Sequence, residues 1–440
     1  MPLLDKRIVN TQTTLKQNGY KLYPYQINGL GKMLKHEKGN YGGILGDEMG
    51  LGKTLQMISL IIANPKKITL VIVPANLILQ WKSEIEKFAP HITILIHWNK
   101  YSVNLSEVNQ LKNDYNIILT TYHYSYKYEL FKIIKIDRVI CDEAHIFRNN
   151  KSKTYKGLEQ FKTKIKWCIT GTPIQNYLKD IKTLINFILP NIKLNKTNIP
   201  QFITTLLIRR TKSEVNINLP ERINKLQFIS FSSIQEKKLY DKLDKLQHEF
   251  GNIKLLEKQL RLRQICSIPK NLSLKFKIKY KTNQNIESIN NTKLNYIVKL
   301  IKKNTNEKPI VFTHFNAEIN YLKYKLEKEN ISTGVINGSV SQEERQSVIH
   351  NDSYKVLLIQ IVAGGTGLNL QHFNSVYFTS PNWNPSLENQ AIARVHRIGQ
   401  KNNVIIRKLI MGNMKTHTIE KRILKIQKDK QKLISTFIKN

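Results

Sequence analysis

The chain has 440 residues, too many for one growing core, so it is organised as two or three packed domains and is not a small stapled scaffold. Lysine and arginine number 70 against 32 acidic residues, a formal net charge of +38, and with 41% hydrophobic residues this joins a foldable core to a basic surface that suits a polyanion. No apolar run reaches the roughly 20 residues of a membrane-spanning helix, which excludes an integral membrane protein, although runs such as Lys275, Lys277, Lys279 and Lys281 have the charge to meet anionic lipid as well as nucleic acid.

The opening Met1-Pro2-Leu3-Leu4-Asp5-Lys6 lacks the basic-then-apolar order of a secretory signal, so the chain is expected to stay inside a cell. Cys141, Cys168 and Cys266 are scattered among apolar residues with no C-x-x-C pair, and read as reduced, buried thiols with neither a disulfide nor a zinc framework.

Apolar, β-branched runs recur at 68–73, 116–120, 138–141 and 166–170, then at 309–313, 355–360, 375–379 and 403–409, with helical stretches between them. This alternation predicts an α/β fold with parallel sheets covered by helices on both faces. The series breaks between Pro173 and about Lys293, where the pattern turns helical and basic. The expected organisation is an N-terminal extension over 1–20, a first lobe over 21–206, a linker over 207–225, a helical insertion over 226–292, and a second lobe with a closing helix over 293–440.

Within the first lobe, Gly46-Asp47-Glu48-Met49-Gly50-Leu51-Gly52-Lys53-Thr54 precedes an apolar, helix-like run. Gly50 and Gly52 let backbone N–H groups turn around phosphate oxygens, Lys53 can reach the β and γ phosphates of ATP, and Thr54 can ligate Mg²⁺. The strict phosphate-loop pattern has glycine where this chain has Asp47. Next, Asp142-Glu143-Ala144-His145 follows an apolar strand and so emerges where α/β sheets place ligands. Adjacent carboxylates there can divide the work of hydrolysis, Asp142 toward the metal and Glu143 toward the attacking water. Alone, such a tetrapeptide also fits an exposed acidic turn; the phosphate loop upstream favours the catalytic reading.

In the second lobe, Gln390 to Arg397 reads as a helix with Gln390, Arg394 and Arg397 at i, i+4 and i+7, on one face. Two projecting arginines can neutralise charge on a transferring γ-phosphate, although a basic helix face also serves as a solvated or DNA-binding surface. On the first reading ATP lies between the lobes, and hydrolysis requires them to close.

Taken in order over about residues 20–427, these segments resemble the Swi/Snf-type DNA-dependent ATPases of helicase superfamily two. Further segments carry the likeness: Leu22 to Gln26, Val73 to Trp81, Leu119 to Tyr122, Ile169 to Asn176, Leu207 to Lys212, Leu262 to Cys266, Ile310 to Thr313, Asn337 to Ser339, Ala363 to Leu370, and Trp383-Asn384-Pro385. In that family Asp stands at the position of Asp47 too. The resemblance implies two RecA-like lobes, ATP and Mg²⁺ as cofactors, and an engine that moves along double-stranded DNA without necessarily separating its strands. It implies Gln26 as the adenine contact, Gly367 at the nucleotide, and Thr120, Thr121, Thr313, Ser339, Gly364, Gly365 and Trp383 at the DNA. His145, Thr170, Thr172 and Gln390 would couple the two events. Ser380 and Ala393 depart from the family, which commonly has Asp at the first position and Asp or Gly at the second.

The motor segments fill nearly the whole chain, so no histone-reading module is expected, and nucleosomes, other DNA-bound proteins or targeting subunits would be met through partners. The resemblance places the protein in the nucleus, or at a cytoplasmic replication site if the Ile/Asn/Lys-rich wording marks a viral genome. Two alternatives remain open from the residues: a strand-separating DNA or RNA helicase, and a nucleic-acid clamp that has lost hydrolysis.

Overall fold

The computed structural model describes residues 5–99, 117–127, 131, 134–171, 178–195, 197–215, 217, 219–245, 252–269, 290–364, 368–413 and 416–438. Thr172, Gly365, Gly367 and the lysine run at 275–281 lie outside the described residues. The chain divides into two compact units, Met1–Ile217 with Phe437–Asn440, and Asn218–Thr436.

The first unit is built on seven parallel strands in the order β3-β4-β2-β5-β6-β1-β7. They are β1 (Gly43–Leu45), β2 (Thr69–Val73), β3 (Ile94–His97), β4 (Ile117–Thr121), β5 (Arg138–Asp142), β6 (Ile165–Ile169) and β7 (Leu207–Ile208). Every residue of β2, β4, β5 and β6 is buried, as a parallel sheet sandwiched by helices requires. Helices α1 (Lys6–Gln17), α2 (Pro24–Lys38), α3 (Lys53–Ala63) and α4 (Ile78–Phe88) supply Leu15, Leu30, Met57 and Trp81 to one core with Val71, Leu119 and Ile140. A buried ion pair fastens α2 to β5: Arg138 Nη2 lies 2.6 Å from Glu37 Oε2, and Trp167 Nε1 donates to Glu37 Oε1 at 3.0 Å.

The expected linker begins inside this sheet. Leu207 and Ile208 pair with Ile44 and Leu45, because both are apolar and flank the only strand edge left beside β1.

The second unit holds six parallel strands in the order β10-β11-β9-β12-β13-β8. These are β8 (Arg222–Ile229), β9 (Pro309–Thr313), β10 (Thr333–Ile336), β11 (Val356–Gln360), β12 (Ser375–Phe378) and β13 (Val404–Met411). The region read as linker and insertion therefore contains a strand, and the helices Ile234–Lys245 and Asn252–Ser267 follow it. The three cysteines are buried and free, with Cys141 and Cys168 abreast on β5 and β6. Among the described residues no helix is long and apolar enough to cross a membrane.

Candidate active site

Register brings the expected nucleotide residues to one edge of the first sheet. Asp142 on β5 sits beside Ile169 on β6, and Ile169 sits beside Leu45 on β1. At about 4.8 Å between strands, the ends of β5 and β1 are roughly 10 Å apart, a span that a triphosphate covers. One residue further along, the three strands deliver Glu143, Thr170 and the phosphate loop 46–52.

The loop turns through two left-handed glycines, Gly50 at φ +93° and Gly52 at φ +70°, and Gly52 caps α3 so that Lys53 and Thr54 open its first turn. A Cβ on Gly52 would come within 2.6 Å of Gln26 Nε2 and push that side chain aside, while the backbone at φ +70° calls for glycine whatever the space. Gln26 is thereby packed against the loop, donating to Leu51 O at 3.3 Å and accepting from Tyr23 N–H at 2.9 Å. Lys53 Nζ donates to Asp47 O at 2.9 Å.

Asp142 is held from both sides. Trp81 Nε1 donates to its Oδ2 and the Glu143 N–H to its Oδ1, both at 2.8 Å, and Tyr122 Oη donates to its carbonyl at 2.5 Å. Each carboxylate oxygen keeps a lone pair for a further ligand. Burial pushes this carboxyl up to about 6, the Glu143 charge adds to the shift, and the bonds from Trp81 and Glu143 oppose it. Glu143 takes φ +49°, a left-handed backbone that a non-glycine residue adopts only where its surroundings impose it. Its Oε2 lies 3.2 Å from His145 Nδ1, so the left-handed backbone brings the carboxylate beside the imidazole. Thr170 is buried, and its N–H donates to Leu45 O at 3.1 Å.

The donor set fits a magnesium nucleotide: hard oxygens on Thr54 and Asp142, one ammonium on Lys53, and a loop that turns through two left-handed glycines into a helix N-terminus. Trp81 and Arg210, quoted above only within longer segments, prove to hold Asp142 and Asp47 directly.

In the second unit, Asn384 caps the arginine helix Pro385–Val395 by accepting from Ser386 N–H at 3.1 Å, and Pro385 takes the first helical position. The Trp-Asn-Pro sequence is therefore a helix start that aims Gln390 and Arg394. The helix ends at Val395, so Arg397 lies beyond it in the following turn, and the expected three-residue face reduces to Gln390 and Arg394. His396 is why it stops there: its backbone leaves the helix, and its Nε2 engages Pro220 O at 2.8 Å.

Two of the residues expected to grip phosphate have other work. Thr120 and Thr313 are fully buried, with hydroxyls donating to His97 O at 2.8 Å and Ile359 O at 3.3 Å, so their side chains serve the sheets. Thr121 accepts from Tyr124 N–H at 3.3 Å, Ser339 is exposed, and Gly364 ends the helical turn after β11. Arg345 ties the segments before these two residues together, reaching Asn337 O at 3.2 Å and Ala363 O at 3.4 Å, a role no motif signalled. Trp383 is half-buried against the core of its unit.

Beside Thr313, the half-buried His314 Nε2 meets Ser380 O at 3.0 Å. Burial, with repulsion from Arg263, pushes this imidazole down from 6.5 to about 3. The unfolded chain thus takes up the proton first, so the neutral ring supports the fold above its unfolded value and that support is lost as pH falls below it. The melting temperature should drop between about pH 7 and pH 5, and His314→Gln, which keeps a donor for Ser380 O, should make that drop shallower. An unchanged slope contradicts the assignment.

A glycine loop after β1, the carboxylates Asp142 and Glu143 at the end of β5 and the end of β6 between them lie along one edge of the first sheet. The sequence matches the SNF2-related domain over residues 25–199 and the helicase conserved C-terminal domain over residues 292–399. The chain belongs to the SNF2-related family of helicase-type proteins. It is 31% identical over 93% of its length to an ATP-dependent helicase of Mycoplasma pneumoniae, covering 42% of that protein. It is 30% identical over 94% of its length to the ISWI chromatin-remodeling complex ATPase ISW1 of Saccharomyces cerevisiae, covering 40% of that protein. The chain thus spans less than half of these relatives. The Sulfolobus solfataricus SWI2/SNF2 ATPase core in complex with dsDNA aligns with 95% of this chain and 93% of its own, at 27% identity and a TM-score of 0.44.

Proposed function

We propose that the chain is an ATPase, stimulated by double-stranded DNA, that moves along the duplex and displaces or remodels what is bound there. The observation that carries the proposal is the alignment of Lys53, Asp142 and Glu143 along one edge of the first sheet, with Gln26 packed on the same loop. Lys53 would leave the Asp47 carbonyl for the β and γ phosphates. Thr54 and Asp142 would hold Mg²⁺, which supplies charge neutralisation on the phosphates. Glu143, placed by its backbone beside His145, would accept the proton of the attacking water. Arg394 and Arg397 would stabilise the charge on the γ-phosphoryl group, and Gln26 would read the adenine. Thr170, Thr172 and Gln390 would transmit the nucleotide state, with Gly367 beside the nucleotide.

The duplex would run over Thr121, Ser339, Gly364, Gly365 and Trp383, its phosphates neutralised by part of the +38 surplus. Each neutralised phosphate releases counterions, so affinity for duplex should fall by about 10³-fold or more between 50 and 200 mM salt if six or more are contacted. Fluorescence anisotropy across that range measures the slope, and a flat line contradicts a phosphate track. The names of several relatives favour a second reading, strand separation. A strand-displacement assay decides it: release of a tailed strand supports a helicase, and duplex-stimulated turnover without release supports translocation.

A further inference from the structure

The phosphate loop has an aspartate where the strict pattern has glycine, and Asp47 is fully buried. Arg210 grips it as a fork, Nε to Oδ1 at 2.9 Å and Nη2 to Oδ2 at 2.5 Å, while Gln56 Nε2 donates to Oδ2 at 2.9 Å. The same guanidinium bonds Gln56 Oε1 at 2.8 Å and Tyr25 O, and stacks 5.2 Å from the Tyr25 ring centre. Its neighbours hold the loop's backbone as well. Gly46 N–H donates to Ile208 O at 2.8 Å, Glu48 N–H to Arg210 O at 2.9 Å, and Arg209 Nη1 to Gly46 O at 2.9 Å. Lys212 N–H completes the set, donating to Glu48 Oε2 at 2.8 Å.

Residues 208–212 therefore form a strap along the first three residues of the loop, satisfying groups that would otherwise be free to turn. On the other side, the Asp47 carbonyl accepts from Lys53 Nζ at 2.9 Å. Asp47 is thus fixed through its carboxylate and in contact with the phosphate-binding lysine through its backbone. A planar fork can set both position and angle, which a lysine ammonium cannot.

We infer that Arg210 is a positioning residue that pre-shapes the phosphate loop for nucleotide, with Asp47 as its handle. The inference rests on the loop being a nucleotide site, as proposed above. If it holds, losing the fork leaves a loop that must be ordered by the nucleotide itself, which weakens binding before it slows chemistry. A loss of fold alone would lower the active fraction and kcat with KM unchanged.

Gly29 offers a second probe, one that leaves every residue of the strap in place. A Cβ there would lie 2.6 Å from Gln56 Oε1 and 2.7 and 2.9 Å from the two Arg210 Nη atoms, so Gly29→Ala forces the Gln56 and Arg210 side-chain ends to shift. Because Gly29 lies inside α2, alanine improves helix propensity, so a loss comes from the displaced Arg210–Gln56–Asp47 cluster, and Arg210→Lys isolates the part of it due to the fork.

The test uses the full chain, wild type, Gly29→Ala and Arg210→Lys, with fluorescent ADP titrated at equilibrium, steady-state ATP turnover on duplex DNA, and a melting curve for each. Both variants should bind ADP about 10–100-fold more weakly and raise KM for ATP by a similar factor, with kcat falling less; because each disturbs the pairing of the buried Asp47 carboxylate, both should also melt below wild type, which by itself leaves KM unchanged. Wild-type ADP affinity in both variants overturns the inference, as does a fall in kcat with KM unchanged. A wild-type chain that binds ADP but hydrolyses no ATP refutes the proposed hydrolysis, while the affinities still decide the strap. A wild-type chain that binds no nucleotide overturns both.

Discussion

Glu143→Gln is expected to lower duplex-stimulated ATP turnover by about 10²–10⁴-fold while nucleotide still binds, because it removes a positioned base and keeps the shape of the side chain. Lys53→Ala should abolish turnover by a different route, through lost phosphate binding, so fluorescent ADP should bind the first variant and not the second. The distinction follows from placement. Lys53 belongs to the loop, where it donates to Asp47 O at 2.9 Å, and Glu143 stands at the next-but-one strand with His145 Nδ1 3.2 Å away. Unchanged turnover in both variants would contradict the assignment of the site.

The second large effect concerns stability. Lys293 and Glu420 are fully buried and 2.5 Å apart, with Lys293 Nζ also donating to Thr379 O at 2.8 Å. Glu420 further accepts from Ser380 Oγ at 2.5 Å and from Met411 N–H at 2.7 Å. Lys293→Met strands a buried carboxylate and should destabilise the second unit by about 3–5 kcal/mol, measured by urea unfolding. Adding Glu420→Leu should recover part of that loss, since a buried pair replaced by apolar groups is often nearly neutral. Equal loss in the single and double variants would show that the two residues do not act as a pair.

This network explains the departure at Ser380. An aspartate beside Glu420 would place two carboxylates against one lysine, whereas the serine hydroxyl donates to Glu420. Nothing in the structure explains Ala393.

Much of the first site was legible in the sequence because its groups lie in continuous words. Glycines 50 and 52 announce a left-handed turn, and an apolar run ending in Asp142-Glu143 announces a strand that delivers carboxylates to a sheet edge. Strands of five apolar residues were equally plain. The short strands were not. Gly43–Leu45 is three residues preceded by glycine, and Gly42 is there because a Cβ would collide with Lys166 O at 1.8 Å, a constraint set by a distant strand. Arg222–Ile229 exposes Leu226 and Phe228 and carries polar residues between its apolar ones, so it straddles the expected linker over 207–225 and the expected insertion over 226–292 without reading as a strand.

Side-chain roles depended on long-range contacts that no local pattern encodes. The fork from Arg210 to Asp47 joins positions far apart in the chain, and Trp81 reaches Asp142 across two strand ends. Helix length misled in one place: Arg397 continues the helical spacing of Gln390 and Arg394, yet His396 has already left the helix toward Pro220. Thr120 and Thr313 were placed at the DNA by resemblance, and burial gives their hydroxyls to the sheets.

The most direct test of the account is triplex displacement on duplex DNA with ATP, measured alongside ATP turnover. Translocation predicts that the third strand is released only with hydrolysable ATP, that turnover rises with duplex, and that Glu143→Gln abolishes both. Duplex-stimulated turnover with the triplex left intact would contradict movement along DNA.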